Sequence, residues 1–324
     1  MSGQATAERA LLTQTVRDLL AKHAGPEAVR TAMASERGYD EKLWQLLCEQ
    51  VGVAALVVPE EFGGAGGELA DAAAVMTELG RGLVPTPLFG TILAEIALLS
   101  AEQPDAETLE RLASGAAVGA VVFDPDHVVN GDIADVVIGV GDDALNRWTE
   151  FSAEARSTMD LTRRLATLHA TATEPLGADP GLADIAALLL AAEQVGAATR
   201  CLELTVDYTK ERVQFGRPIG SFQALKHRMA DLYVKVQTAD AVVSEAVAEP
   251  SATMAALAHV TATEAFLDVA AEAVQLHGGI AITWEHDIQL YFKRAHGSAQ
   301  LLGSPAHYLR KLEGDALSGD APGT

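Results

Sequence analysis

Four helical segments in the second half of the chain constrain its fold most. Apolar residues recur at helical spacing over 182–213, 221–248, 251–277 and near 285–297. The links between them, such as FGRPIGS and HGGIAIT, are short. Short links make consecutive helices antiparallel neighbours, so the spacing predicts an up-down four-helix bundle over 182–316. Only 5% of residues are aromatic, while Ala and Leu are abundant. That mix favours helices packed closely on small side chains.

The rest of the chain divides in two. Over 5–23, Leu11, Leu12, Val16, Leu19 and Leu20 fall on one helical face. Further helices are expected at 40–51, 68–82, 88–101 and 105–114, so residues 1–115 read as a helical domain. In the first of these, Leu43, Leu46 and Leu47 point inward. From 116 the pattern turns to short β-branched runs, AVGAVVFDP, HVVNGD and ADVVIGVGDD, with RWTEFSA and RRLATLHATA as two further strand candidates. This small β domain ends at 181, where TEPLGADPG (173–181) reads as a linker and helix N-cap. Residues 317–324 form a frayed tail. The fold class is mainly α with a small β domain.

Charge and composition exclude several functions. The formal net charge of -22 opposes binding to nucleic acid or to anionic membranes, both of which need clustered cations. Cys48 and Cys201 lack the paired spacing of a zinc site or disulfide framework, which fits a reducing cytoplasm. The N-terminus lacks the apolar core of a signal peptide, and no run reads as a membrane span. His277, His286, His296 and His307 lack carboxylate or cysteine partners at ligand spacing, so no metal is expected. They read as exposed or capping histidines.

DYTKERVQFGRPIGSFQALKHRMADLYV (207–234) and AVQLHGGIAITWEHDIQLYFKRA (273–295) closely resemble the matching segments of acyl-CoA dehydrogenases. VPEEFGGAGG (58–67) resembles that family's N-terminal loop. The resemblance covers nearly the whole chain, is most specific in the last 150 residues and weakens in the β region. It implies an FAD-dependent enzyme whose flavin lies between subunits. By that resemblance Arg212 pairs with the flavin pyrophosphate, Gln214 and Phe215 line the same turn, and Gln223 faces the ADP. Gln275, Gly278 and Gly279 take the dinucleotide's other side. The residue types suit those roles, because Arg presents a fixed fork of donors to phosphate and glycines let backbone amides approach an anion. Each has a plainer reading too, the Arg as a complement to a helix dipole and the Gly pair as a helix C-cap.

The family reaction also needs a carboxylate base beside the thioester. By resemblance its usual position falls at Gln300 or Leu301, and no Asp or Glu occurs from Ile288 to Leu312. The family's other position falls near Ala186. Asp184 lies about 200° round that helix, and Glu193 lies about 10 Å farther along it. Glu193 reads instead as a polar group at a bundle contact. The family's Thr-Glu-Pro and Gly-Ser-Asp loop is absent, so the β domain is truncated. Asn130, Gly131 and Asp135 resemble the family's Asn-Gly hairpin, a structural turn. GGIAIT departs from the family pattern at Ala281 and Ile282, and Trp284 is expected to pack in the bundle.

Three readings stay open on these residues. In the first, the chain has no catalytic residue and is one subunit of an α2β2 heterotetramer. It then shares FAD with a longer acyl-CoA dehydrogenase subunit that binds the acyl-CoA, possible substrates including steroid side-chain thioesters, and an electron-transfer flavoprotein is the expected acceptor. In the second, the chain is a self-sufficient homo-oligomeric dehydrogenase with an unusual base. In the third, it is a flavin-free structural or binding relative.

Overall fold

The computed structural model describes residues 3–141 and 144–318. Six helices come first: α1 Gly3–His23, α2 Pro26–Met33, α3 Glu41–Gln50, α4 Leu69–Gly82, α5 Leu88–Leu99 and α6 Ala106–Ala113. Their starts are set by local chemistry. Asp40 caps α3 by accepting from Lys42 N and Leu43 N, Asp105 caps α6, and Glu68 with Asp71 forms a capping box on α4. On α1, Val16, Leu19 and Leu20 are buried as expected, but Leu11 is 70% exposed, so the buried stripe is narrower than its apolar pattern.

The strands β1 Gly119–Val122, β2 Val128–Val129, β3 Val136–Val140, β4 Ala144–Arg156 and β5 Leu165–Ala178 form one sheet in the order β1-β3-β4-β5-β2. β1 runs parallel to β3, and the other pairs are antiparallel. Two expectations change here. Residues 173–178 are the end of β5, not a linker, because β4 supplies a partner ladder as far as Ala144↔Ala178. Pro175, which has no N–H, is tolerated because it sits beside a register shift. The capping role does hold, since Asp179 accepts from Gly181 N and Leu182 N at 3.0 and 2.8 Å. Asn130 takes a left-handed φ of 56° and starts a 3-10 turn. β2 and β3 do not pair with each other, so this turn is a crossover and not a hairpin.

The bundle follows: α7 Leu182–Glu211, α8 Gln223–Ala248, α9 Ala252–His277, α10 Ile288–Ser298 and a fifth helix, α11 Pro305–Ser318. α8 is antiparallel to α9, as the pairs Arg228–Glu272 and Lys235–Asp268 show. α7 and α9 run side by side in the same direction, with Thr263 bonded to Gln194 midway and Tyr208 stacked on His277 at the end. Of the expected tail, 319–324 lie outside the described residues, while Leu317 and Ser318 end α11. One exclusion needs correcting. Leu182–Glu211 and Ala252–Ile282 are long and apolar enough to cross a membrane by composition alone. Here they pack as core helices of the bundle, which is why they are apolar. Cys48 and Cys201 are free and buried, and burial pushes the Cys48 thiol up to about 12.

Glu95, on α5, is fully buried and neither carboxylate oxygen has a partner among the described residues. Burial pushes its pKa well above the ordinary value. The native state therefore holds the proton more tightly than the unfolded chain. Glu95 costs nothing below the unfolded pKa of about 4.3. It lowers stability as pH rises from there through the folded pKa. Glu95→Gln removes that titration. Denaturant midpoints at pH 5 and pH 7.5 should show the native protein losing ground to the variant at the higher pH. Midpoints moving in parallel would contradict the assignment.

Candidate functional site

Two chain turns meet at one end of the bundle. α7 ends at Arg212, whose N–H donates to Tyr208 O at 2.9 Å and whose backbone leaves the helix. The chain then forms a two-residue hairpin, β6 Val213–Gln214 with β7 Arg217–Pro218. Its corner residues Phe215 and Gly216 both have positive φ, 53° and 78°. A bulky side chain rarely adopts that conformation, so Phe215 is held there against its preference. Phe215 is 91% exposed, edge-on to Phe222, whose face carries the Arg217 guanidinium at 4.0 Å. Gln223 opens α8 and bonds His227 across one helical turn.

The second turn closes α9. Gln275 is exposed on the last helical turn, and Gly278 breaks the helix with φ 66°. Gly278 and Gly279 have no atom within 4 Å of where a Cβ would stand. Nothing among the described residues therefore requires Gly279 to lack a side chain. The ring of Tyr208 joins the two turns by stacking on His277 at 4.2 Å, with His286 edge-on to His277 at 4.8 Å. Burial lowers the pKa of both histidines, which favours neutral rings. His277 is buried, with Nδ1 on Ala273 O at 2.8 Å, so it is neither an exposed nor a surface-capping histidine.

Electrostatics at this end run against the chain's overall charge. Between Lys210 and Arg228 lie five basic residues and one acidic residue, Glu211; Lys210 pairs with Asp207 and Arg228 with Glu272, which leaves Arg212, Arg217 and Lys226 to set the local sign. The Arg212 guanidinium has no hydrogen-bond or ion-pair partner among the described residues. An open glycine cradle, a free guanidinium fork and local positive charge suit a dinucleotide phosphate. These residues fit an FAD pyrophosphate. Ile282 is 74% exposed and Trp284 59% exposed with Lys293 over its ring at 4.1 Å, so Trp284 does not pack in the bundle. Ala281 is fully buried beneath the turn.

The two candidate base positions lie elsewhere. Gln300 and Leu301 line a pocket of about 330 Å³ with Phe89, Leu93, Val121 and Phe123. The one carboxylate among its lining residues is Asp124, which the sequence reasoning missed because it comes from the β region. Its Oδ2 meets His127 Nδ1 at 2.8 Å, and this bond, with a backbone N–H from Asp126, lowers its pKa. A base for this reaction needs the opposite shift. Ala186 is fully buried, and Asp184 pairs with Lys311. Glu193 is bound to Arg163 and, at 2.5 Å, to Arg294. Its reading as a polar bundle contact holds, and both oxygens are engaged.

Residues 6–116 match the acyl-CoA dehydrogenase N-terminal domain and residues 181–307 the acyl-CoA dehydrogenase C-terminal domain. The chain belongs to the acyl-CoA dehydrogenase family. It is 68% identical over 308 residues to acyl-CoA dehydrogenase IpdE2 of Mycobacterium tuberculosis, covering 95% of this chain and 97% of that one. Among solved structures it is similar to a variant of the steroid ACAD Tcur3481-Tcur3483, with TM-score 0.87, 27% identity and coverage of 97% and 99% of the two chains. The ChsE4-ChsE5 complex of Mycobacterium tuberculosis superposes with TM-score 0.86 over 99% of both chains. At 24% identity that likeness speaks for the fold alone.

Proposed function

We propose that this chain is the non-catalytic subunit of a hetero-oligomeric, FAD-dependent acyl-CoA dehydrogenase. The coarser part of that reading follows from the family: an oxidoreductase acting on acyl-CoA. The finer part rests on one observation. The chain keeps an open phosphate-ready pair of turns at Arg212 and Gly278–Gly279, yet places Gln300 and Leu301 where the family keeps its base. In this reading the two turns complete the FAD site of a longer partner chain in an α2β2 assembly. When bound, the flavin supplies the hydride acceptor. Arg212 and the Gly278–Gly279 backbone hold its pyrophosphate, while Gln214, Phe215, Gln223 and Gln275 border the dinucleotide. The partner provides the base and the acyl-CoA pocket. A solved relative named as paired chains, the steroid ACAD Tcur3481-Tcur3483, supports a heteromer. A steroid-derived thioester, an electron-transfer flavoprotein as acceptor and a cytoplasmic location belong to the same proposal.

Co-expression with a longer homologue tests it. The pair should purify as a yellow complex that dehydrogenates an acyl-CoA, and this chain alone should carry little flavin. Active, flavin-replete protein from this chain alone would overturn the proposal. Arg212→Ala in the pair removes a charge-assisted contact worth about 1.5–3 kcal/mol. Flavin affinity should therefore fall roughly 10- to 100-fold, with the chain itself folded, because the Arg212 side chain has no partner among the described residues. Unchanged flavin binding would reject the role of Arg212.

A further inference from the structure

A second cleft lies apart from the two turns and from the Gln300 pocket. Helices α1, α2, α4, α7 and α10 meet around a cavity of about 360 Å³. Leu20, Val29, Leu83, Val84, Leu204 and Leu290 give it an apolar wall. Its size falls in the range of small-molecule sites, about 300–1,000 Å³.

The mouth is cationic. The whole chain has 45 acidic and 23 basic residues. Here four arginines, Arg17, Arg30, Arg81 and Arg200, face two lining carboxylates, Glu78 and Asp287. Arg17 grips the buried Glu78 with two bonds of 2.9 and 2.6 Å. Arg30 meets Asp287 at 2.6 Å. Arg81 takes both oxygens of Glu203, at 3.0 and 2.8 Å. Arg200 has a single 3.1 Å bond, to that same Glu203. One carboxylate thus serves two guanidiniums, and three carboxylates serve four. By direct bonds the guanidiniums at the mouth outnumber the carboxylates by one, and most of the Arg200 fork is unused among the described residues.

We propose that this cleft binds an amphipathic organic monoanion. Its carboxylate would sit on Arg200 and its hydrocarbon body would lie along Leu83, Leu204 and Leu290. A carboxylate head takes up the unused Arg200 donors, and a hydrocarbon body matches the wall. The proposal is independent of the flavin reading, because none of these residues belongs to either turn.

Calorimetric titration of the purified full-length protein with decanoate, and with 1-decanol as its uncharged counterpart, tests it. Decanoate should saturate one site per chain, and decanol should bind at least about tenfold more weakly, the size of a typical charge-assisted contact. Arg200→Ala should weaken decanoate about tenfold, with little effect on decanol. Leu204→Trp fills the wall and should weaken both. The two variants should melt like the native protein, since Arg200 and Leu204 are only partly buried. No saturable binding, or decanoate binding unchanged in both variants, would overturn the proposal.

Discussion

Glu193→Ala should destabilise the fold by about 3–5 kcal/mol, the cost of stripping the partner from a buried charge. Glu193 projects from α7 between two guanidiniums, Arg163 from the segment before β5 and Arg294 from α10. Arg294 also holds Asp160 at 2.7 Å, Thr162 O at 2.8 Å and Thr162 Oγ1 at 2.6 Å, and Arg163 donates to Ser298. Two positive and two negative side chains cancel inside the protein. Burial opposes the charge on Arg294, but Asp160 and Glu193 outweigh it and hold its pKa above the ordinary value. Burial wins at Arg163, whose pKa is lowered. With Glu193 gone, two buried guanidiniums would face each other with one carboxylate between them. Equilibrium denaturation would read the loss directly. A change below about 0.5 kcal/mol, the range of an ordinary surface substitution, would mean that water reaches the network. Replacing Arg163, Glu193, Arg294 and the buried Asp160 together by apolar residues should cost far less than the single change, because no charge is then stranded. Glu193 lies on roughly the same helical face as the family base position near Ala186, and this network explains why it is not free to act as a base.

Gly196→Ala should be nearly as damaging, through a different cause. A Cβ at Gly196 would lie 1.9 Å from Thr77 O, and one at Gly80 would lie 2.1 Å from Glu193 O. The two glycines face each other's helix where α4 crosses α7, so the backbones touch directly. Alanine raises intrinsic helix propensity by about 1 kcal/mol over glycine, which by itself would stabilise α7. The clash is with backbone, which cannot rotate aside, so α4 and α7 must separate. Overpacking of this kind costs about 1–3 kcal/mol and more where the elements cannot move. The same movement shifts Glu193, so the Gly196→Ala and Glu193→Ala effects should not add. Gly314→Ala, on α11 with nothing within 4 Å of its Cβ, is the control and should be neutral or stabilising. A Gly196→Ala protein as stable as the control would show that the crossing is loosely packed.

The helices were legible because each carries its own period and punctuation. Asp40, Asp105 and Ser251 mark helix starts, and Gly278 ends α9, by chemistry confined to a few neighbouring residues. The candidate flavin-binding turns were legible for a related reason, since Arg212 and Gly278–Gly279 lie in short motifs of fixed spacing. Elsewhere a partner distant in sequence overrode the local signal. Thr173–Ala178 has the composition of a linker, yet β4 draws it into a strand. Trp284 looks like core but lies under Lys293 at the surface, and His277 looks like surface but is buried under Tyr208. Asp124 reaches the Gln300 pocket only because β1 packs beside α5.

By itself, then, the sequence determined the helical and β segments, the family resemblance, the residues of the two turns and the missing carboxylate between Ile288 and Leu312. Each of these depends on residues close together along the chain. Tertiary structure alone decided that Glu193 is consumed by two arginines, that Gly80 and Gly196 let two backbones touch, and that four arginines gather over an apolar cleft. Charge pairing and close packing depend on distances in space, and those distances exist only once α4, α7 and α10 have docked.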